Sequence, residues 1–396
     1  MDELRCKGLD GRNPLHFLAA LGALLLSDRI SPGMRLSWEQ RGAAWNPILS
    51  PVSDPQKLFG HLAAWLNRLG EVGSSDPFLQ KRLKELQQRL KARQESLKSK
   101  KKEQGRKRGK GSASNASEPS AEEEEIRRIQ EEIASLEGRR ASELGYGIAH
   151  WGDLIAVNAE TVRHYGKRAL RDWLIAALTE KGSGTIEPFT EDPRLRICLV
   201  PALASDVIRK RGKDSGSLVE PTPLSFSNGA SNQYLLKDFR NCTHHVNPER
   251  VEATLLGFNS RFVEGITGLN WDPSDYRPYA MSWSDPDGTP KNTDVAANAL
   301  AYIGLSFYPV LPANRRVHLF GIRSSGRAFA WPLWESPLDP TLVQLVISSS
   351  RLELEEVSPE ELSHRGISEV RQSSIINPSG KRNYFSPSRP IFTRMP

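Results

Sequence analysis

Asn13-Pro14-Leu15-His16-Phe17-Leu18-Ala19-Ala20-Leu21-Gly22-Ala23-Leu24-Leu25-Leu26 is the stretch on which the fold turns. The Asn13 side chain can cap a helix, and Pro14 suits a first turn, where its missing N–H is not needed. From Leu15 onward the helix is apolar on nearly every side. Twelve such residues are too few to span a bilayer and too apolar for a surface helix. The helix therefore belongs in a core. Ala19, Ala20, Gly22 and Ala23 give it a surface on which another element can pack closely.

The chain around it alternates between the two periodicities. Met34-Arg35-Leu36-Ser37-Trp38 reads as a strand and Ile197-Cys198-Leu199-Val200 as another. Pro51 to Gly70 carries a helical stripe of Leu58, Leu62, Trp65, Leu66 and Leu69. Leu154 to Val157 and Leu170 to Leu178 look buried. Ala296 to Leu305 reads as a second packed helix, followed by Phe307-Tyr308-Pro309-Val310. The fold class is α+β (mixed). With 396 residues the chain has room for two or three domains or one large one with an insertion.

The charge favours an insertion. Lys and Arg total 54 and Asp and Glu 47, a net +7. Residues 77–142 hold 18 basic and 11 acidic residues, so they account for all of that +7, and the remainder balances at 36 against 36. Leu79, Leu83, Leu86, Leu90 and Leu97 on one arm, and Ile126, Ile129, Ile133 and Leu136 on the other, repeat at coiled-coil spacing. Between them lies a Gly-, Ser-, Lys- and Glu-rich stretch, about 98–125, whose composition is that of a disordered tip. We therefore expect one large domain (residues 1–76 and 143–376) with an inserted helical hairpin at 77–142. Residues 377–396, rich in Pro and Ser, read as an extended and weakly ordered C-terminal tail.

Most chemistries find no support. Cys6, Cys198 and Cys242 are odd in number and widely spaced, unlike a disulfide framework or a CxxC zinc site. No apolar run reaches membrane-spanning length, and the N-terminus lacks the basic and small-residue features of a signal peptide. A reducing, cytoplasmic home with no membrane partner is the expectation. Walker, dinucleotide-binding and nucleophile-elbow motifs are absent. Cys242-Thr243-His244-His245 is better read as a helix end than as a nuclease centre. Asp285, Asp287 and Asp294, near Pro and Gly, read as a turn rather than a calcium loop. No enzyme, cofactor or metal is expected.

Basic residues give the best functional lead. Lys98 to Lys110 holds eight basic residues and one acid, Glu103, and Lys100, Lys101, Lys102, Arg106, Lys107 and Arg108 are candidates for phosphate neutralisation. Arg209, Lys210, Arg211 and Lys213 form a second patch, read as a loop in which Gly212, Gly216 and Ser217 would let the backbone approach a phosphate. Lys237 and Arg240 fall on the polar face of an expected helix. Trp271, Trp283, Trp331 and Trp334 lie in Pro-rich turns, where packing is commoner than base stacking.

Five segments, in order, resemble one family. Leu9-Asp10-Gly11-Arg12-Asn13-Pro14-Leu15-His16-Phe17-Leu18-Ala19-Ala20-Leu21-Gly22 is similar to the opening of the large-subunit-like proteins of type I-G (formerly I-U) CRISPR systems. Ser227-Asn228-Gly229 with Gln233-Tyr234-Leu235, then Trp271-Asp272-Pro273-Ser274-Asp275-Tyr276-Arg277-Pro278-Tyr279-Ala280, resemble its next two motifs. Ala297-Asn298-Ala299-Leu300-Ala301 leading to Phe307-Tyr308-Pro309-Val310, and Trp331-Pro332-Leu333-Trp334 with Pro337-Leu338, resemble its last two. The match spans residues 9–338, in the compact branch that includes the helicase–nuclease extension family. The resemblance implies an antiviral interference complex in which guide pairing reads sequence and protein holds the nucleic acid. It implies other complex subunits, guide RNA, target DNA and the helicase–nuclease as partners. It carries no catalytic residues, and the tip at 98–125 lies in no matched segment.

Overall fold

The computed structural model describes residues 2–71, 85–86, 88–97, 100, 123–132, 202, 204–211, 217–226, 235–276, 291–313, 316–323, 326–349, 352, 358–378 and 382–394. Its centre is the expected helix, α1 (Pro14–Ile30). Asn13 caps it by accepting from the Leu15 N–H at 2.9 Å. Thirteen of its seventeen residues are buried, Leu15 and all of Phe17 to Ser27 among them.

What covers α1 is α5 (Val295–Gly304), whose ten residues are all buried. The two backbones touch through paired glycines. A methyl group placed on Gly22 would lie 1.8 Å from the Leu300 carbonyl oxygen, and one on Gly304 would lie 2.0 Å from that of Leu18. The small residues read from the sequence thus have their partner. Asp294 starts α5 by accepting from the Ala297 N–H at 3.0 Å. Asp294, expected in a turn, is instead the last residue of strand Asn292–Asp294 and the cap of α5, while Asp285 and Asp287 lie outside the described residues.

A first antiparallel sheet packs beside α1. Strand β3 (Ala44–Ser50) is central, between β1 (Leu4–Arg5) and β2 (Arg35–Arg41). Then α2 (Pro55–Glu71) buries Leu58, Leu62 and Leu66, as its stripe foretold, with Trp65 half-buried. Helices α3 (Leu235–Thr243) and α4 (Pro248–Leu256) complete the helical layer. Strands β6 (Phe262–Glu264) and β7 (Asn292–Asp294) form a short ladder that leads into α5.

The second sheet is built on β10 (Ala328–Trp334) and β11 (Ile367–Ile376), with β12 (Tyr384–Phe385) and β13 (Arg389–Thr393) both pairing with β11. All seven residues of β10 are buried. Pro332 is tolerated there because, among the described residues, β10 is an edge strand whose second side is bridged only near Phe329, away from Pro332. Helices α6 (Pro340–Ile347) and α7 (Pro359–His364) flank this sheet. An isolated bridge ties the first sheet to the segment after β10, with Leu36 N–H to Leu338 O at 2.8 Å and Leu338 N–H to Leu36 O at 3.0 Å.

Tryptophans tie the layers together. Trp331 Nε1 donates to Gly11 O at 2.8 Å, Trp334 Nε1 to Leu36 O at 2.9 Å, and Trp271 Nε1 to Leu224 O at 2.9 Å. Phe17 stacks on Trp38 at 5.7 Å and meets Trp334 edge-on at 6.5 Å. Trp271, Trp331 and Trp334 are buried, so they pack rather than stack on bases. Trp283 lies outside the described residues.

One expectation is corrected among the described residues. Within 377–396, read from sequence as an extended tail, 384–385 and 389–393 are strands of the second sheet. Phe385 is buried against Phe226 at 4.6 Å and Phe329 at 5.8 Å, and Phe392 is buried as well. Arg371 Nη1 holds Glu369 at 2.7 Å while its Nε and Nη2 donate to Ser388. Ser388 Oγ donates on to Arg12 O. The Pro and Ser residues mark the turns between strands, not a departure from the fold. The expected elements at 154–157, 170–178 and 197–200 lie outside the described residues.

Candidate nucleic-acid interface

The patch at 209–213 is the first site to locate. Arg209, Lys210 and Arg211 are not loop residues, as expected from sequence, but the end of strand β4 (Ala204–Arg211). They pair with Val219, Leu218 and Ser217 of β5 (Ser217–Pro221). The register shifts between Ser205 and Arg209, so β4 bulges just before its basic end. Neighbouring strand positions fall on opposite faces, so positions 209 and 211 share one face and 210 falls on the other. The Gly-rich segment that made a loop plausible is the connection between the strands, and Lys213 lies in it, outside the described residues.

This hairpin does not stand alone. Strand β4 lies against β8 (Leu311–Ala313) and β9 (Arg316–His318), and β5 lies against β9. The structure therefore brings the strand that carries residues 209–211 beside a hairpin a hundred positions away. From Val295 to Trp334 there is no Asp or Glu, while Arg315, Arg316, Arg323 and Arg327 all fall within it. Arg323 is half-buried and Arg327 exposed. Arg315 lies outside the described residues. Sequence reading missed this second patch because its arginines are spaced too widely to register as a cluster. The signal that would have found it is the forty-residue absence of acids.

The other basic candidates are placed apart. Lys237 and Arg240 sit on α3, which packs against α2 and α5 rather than against the hairpins. The inner face of α3 buries Leu235, Phe239 and Cys242, and Phe239 stacks on Tyr302 at 4.1 Å. Arg240 is half-buried. Lys100 is exposed. Lys101, Lys102, Arg106, Lys107 and Arg108 lie outside the described residues.

Elsewhere in the molecule the polar groups serve the fold. Cys242 is buried, with Sγ 3.8 Å from Thr267 O, and burial followed by the charges of Asp238, Asp275 and Asp294 pushes its thiol well up. It stays protonated, a poor state for a metal ligand. His244 and His245 follow the last residue of α3, as a helix end should. Among the described residues no group of three or more His, Cys, Asp or Glu could hold a metal ion, and no helix is long and apolar enough to cross a membrane.

A buried polar cluster sits under α1. Asp294 Oδ1 accepts from Thr254 Oγ1 at 2.6 Å, and Arg261 Nε lies 3.5 Å from Oδ2. Burial raises the Asp294 pKa, with Thr254, the Ala297 N–H, His16 and Arg261 opposing. His16 Nδ1 accepts from the Asp10 N–H at 3.2 Å, which requires a neutral ring at that nitrogen. Burial lowers the His16 pKa; Asp272, Asp294 and Asp10 oppose it and Arg261 adds to it. These groups form a structural joint in which Arg261 faces the Asp294 carboxyl. An open cavity of about 660 Å³ lies where α1 ends against α6, bordered by Leu25, Asp28, Phe307, Asp339 and Leu345. Its carboxylates are already engaged. Asp28 accepts from the Gly33 and Met34 N–H groups, and Asp339 from those of Thr341 and Leu342.

No protein-family model and no curated protein matches this chain.

Proposed function

We propose that the chain is a non-catalytic, nucleic-acid-binding subunit of a type I-G CRISPR interference complex, working with its other subunits, guide RNA and target DNA. The observation that carries the binding half of this reading is the packing of β4, with Arg209, Lys210 and Arg211, beside the acid-free β8–β9 segment. Two basic segments remote in sequence become one neighbourhood, which is how a fold builds a phosphate-neutralising surface. The ordered motifs support the family half. Gly11 and Trp331, from the first and last of them, are joined by a hydrogen bond, and Gly22 meets Leu300 of the fourth.

The test is a salt titration of purified chain against labelled duplex, single-stranded DNA and guide RNA, with and without Mg²⁺. The reading expects binding at about 0.15 M salt, a slope that reports several neutralised phosphates, and no cleavage. Absence of binding to all three at low salt would sink it.

A second reading makes the chain an adaptor that recruits the helicase–nuclease through an inserted coiled-coil hairpin at 77–142. One ion-pair cluster favours it. Glu125, in the helical segment 123–132, pairs with Arg89 at 2.9 Å and Arg93 at 3.2 Å in the segment 88–97, so the two arms meet. Leu86 and Ile129 are buried. Removing 77–142 would then abolish co-purification with the nuclease while leaving DNA affinity intact.

A further inference from the structure

The turn that follows β9 combines features that a charge count alone does not show. Hydrogen bonds tie its described residues to β10. Arg323 N donates to Ala328 O at 3.0 Å, Ala330 N to Gly321 O at 2.7 Å, and Gly326 N to Arg323 O at 2.7 Å. Gly321 adopts φ +79°, and a Cβ there would lie 2.4 Å from Ala330 O, so only glycine lets the chain turn this closely. Ile375 N donates to Arg327 O at 2.7 Å, which fixes the far end to β11. The backbone at Arg323 and at Arg327 is thus hydrogen-bonded into the fold at both ends of the turn.

Aromatic rings sit in the same segment. His318, the last residue of β9, meets Phe320 edge-on at 5.7 Å, and both are half-buried. A partly exposed ring pair and two arginines within ten residues of one another, in a stretch of sequence free of carboxylates, is a combination that suits single-stranded nucleic acid. Charge alone binds duplex and single strand alike through phosphates. Aromatic faces add affinity only where bases are unpaired and can stack.

We infer that His318, Phe320, Arg323 and Arg327 form a binding site for single-stranded polynucleotide, rings for bases and arginines for phosphates. This rests on the reading that the chain binds nucleic acid, and it names the form that is bound. The neighbouring β4–β5 hairpin extends the same surface.

The experiment is equilibrium binding of the full chain to labelled oligothymidylate, oligouridylate and a duplex of equal length, across a salt series. Either single strand should bind more tightly than the duplex, and the two oligonucleotides separate DNA from RNA as the source. Replacing both arginines (Arg323→Ala with Arg327→Ala) should lower the single-strand salt slope by about 1.4, since each neutralised phosphate adds about 0.7. Arg323→Lys with Arg327→Lys should keep the slope. His318→Ala should weaken single-strand binding about tenfold with the slope unchanged, and His318→Phe should restore it. A chain that prefers duplex, or a double alanine variant with unchanged affinity and slope, would overturn this site while leaving the nucleic-acid reading intact. A wild-type chain that binds none of the three would remove both.

Discussion

Where α1 crosses α5 there is no room for one methyl group. Where β4 meets β9 the strand that carries Arg209, Lys210 and Arg211 lies beside a forty-residue segment with no carboxylate. The first meeting is held by shape, with glycine facing glycine and hydrogen-bonded indoles nearby. The second is a surface whose character comes from charge collected across the sequence. The molecule thus separates two tasks. One set of segments builds the joint, and another carries the basic surface.

The contrast is challenged most forcefully at Gly22. Alanine is the better helix former by about 1 kcal/mol, so helix propensity alone favours Gly22→Ala. The methyl group would meet the Leu300 carbonyl at 1.8 Å, and overpacking of this severity should cost about 3 kcal/mol or more. Thermal melting decides the matter, and a raised Tm would show that the two helices can separate at little cost. A smaller loss is expected for Trp331→Phe, which leaves the buried Gly11 carbonyl without its indole donor. A cost of about 1–3 kcal/mol follows, readable by urea unfolding.

The joint should also respond to acid. Protonating His16 removes the acceptor for the Asp10 N–H, and its folded-state pKa lies below the ordinary 6.5. The stability it contributes is complete above 6.5 and is lost as pH falls through the lower folded-state value. Asp294 works in the opposite sense. Its raised pKa adds stability that is present below 3.8 and fades as pH rises through its folded-state value. Melting curves between neutral and mildly acidic pH should show a decline that His16→Gln flattens. An equal decline in that variant would mean another group is responsible.

On the hairpin side, Arg209→Ala with Arg211→Ala should leave the Tm within error. The salt slope of duplex binding should fall by about 0.9 for each phosphate that is no longer neutralised. The smallest effect is expected at Glu125→Gln. Its carboxylate is held below the ordinary range by Arg89, then by Arg93, yet the pair is exposed to solvent and screened. No measurable change in Tm should follow, and a clear drop would assign this arm-to-arm pairing a structural weight that its exposure does not suggest.

The joint was readable in advance because steric demands leave marks in order. An apolar helix with Asn13 at its head and four small residues along it has few possible environments. The basic surface was readable only in part. Arg209 to Arg211 stood out as a run, but adjacent glycines disguised a strand end as a loop. Arg323 and Arg327 left no run at all, since only the turn at Gly321 gathers them with His318 and Phe320. The C-terminal strands were hidden for a similar reason. Pairing with β11 is a long-range event, and the prolines and serines between the strands suggested an absence of order.

The all-round burial of α1 bears on how the chain is made. Residues are synthesised from the N-terminus, and this helix has no face suited to water. Its cover, α5, begins only at Val295, and the indole that binds Gly11 comes later still, at Trp331. Throughout elongation a stretch of leucine and alanine must wait for a partner not yet translated. Production of this protein in a foreign host should therefore depend on chaperones that hold nascent chains, and slowing translation late in the message should lower its soluble yield.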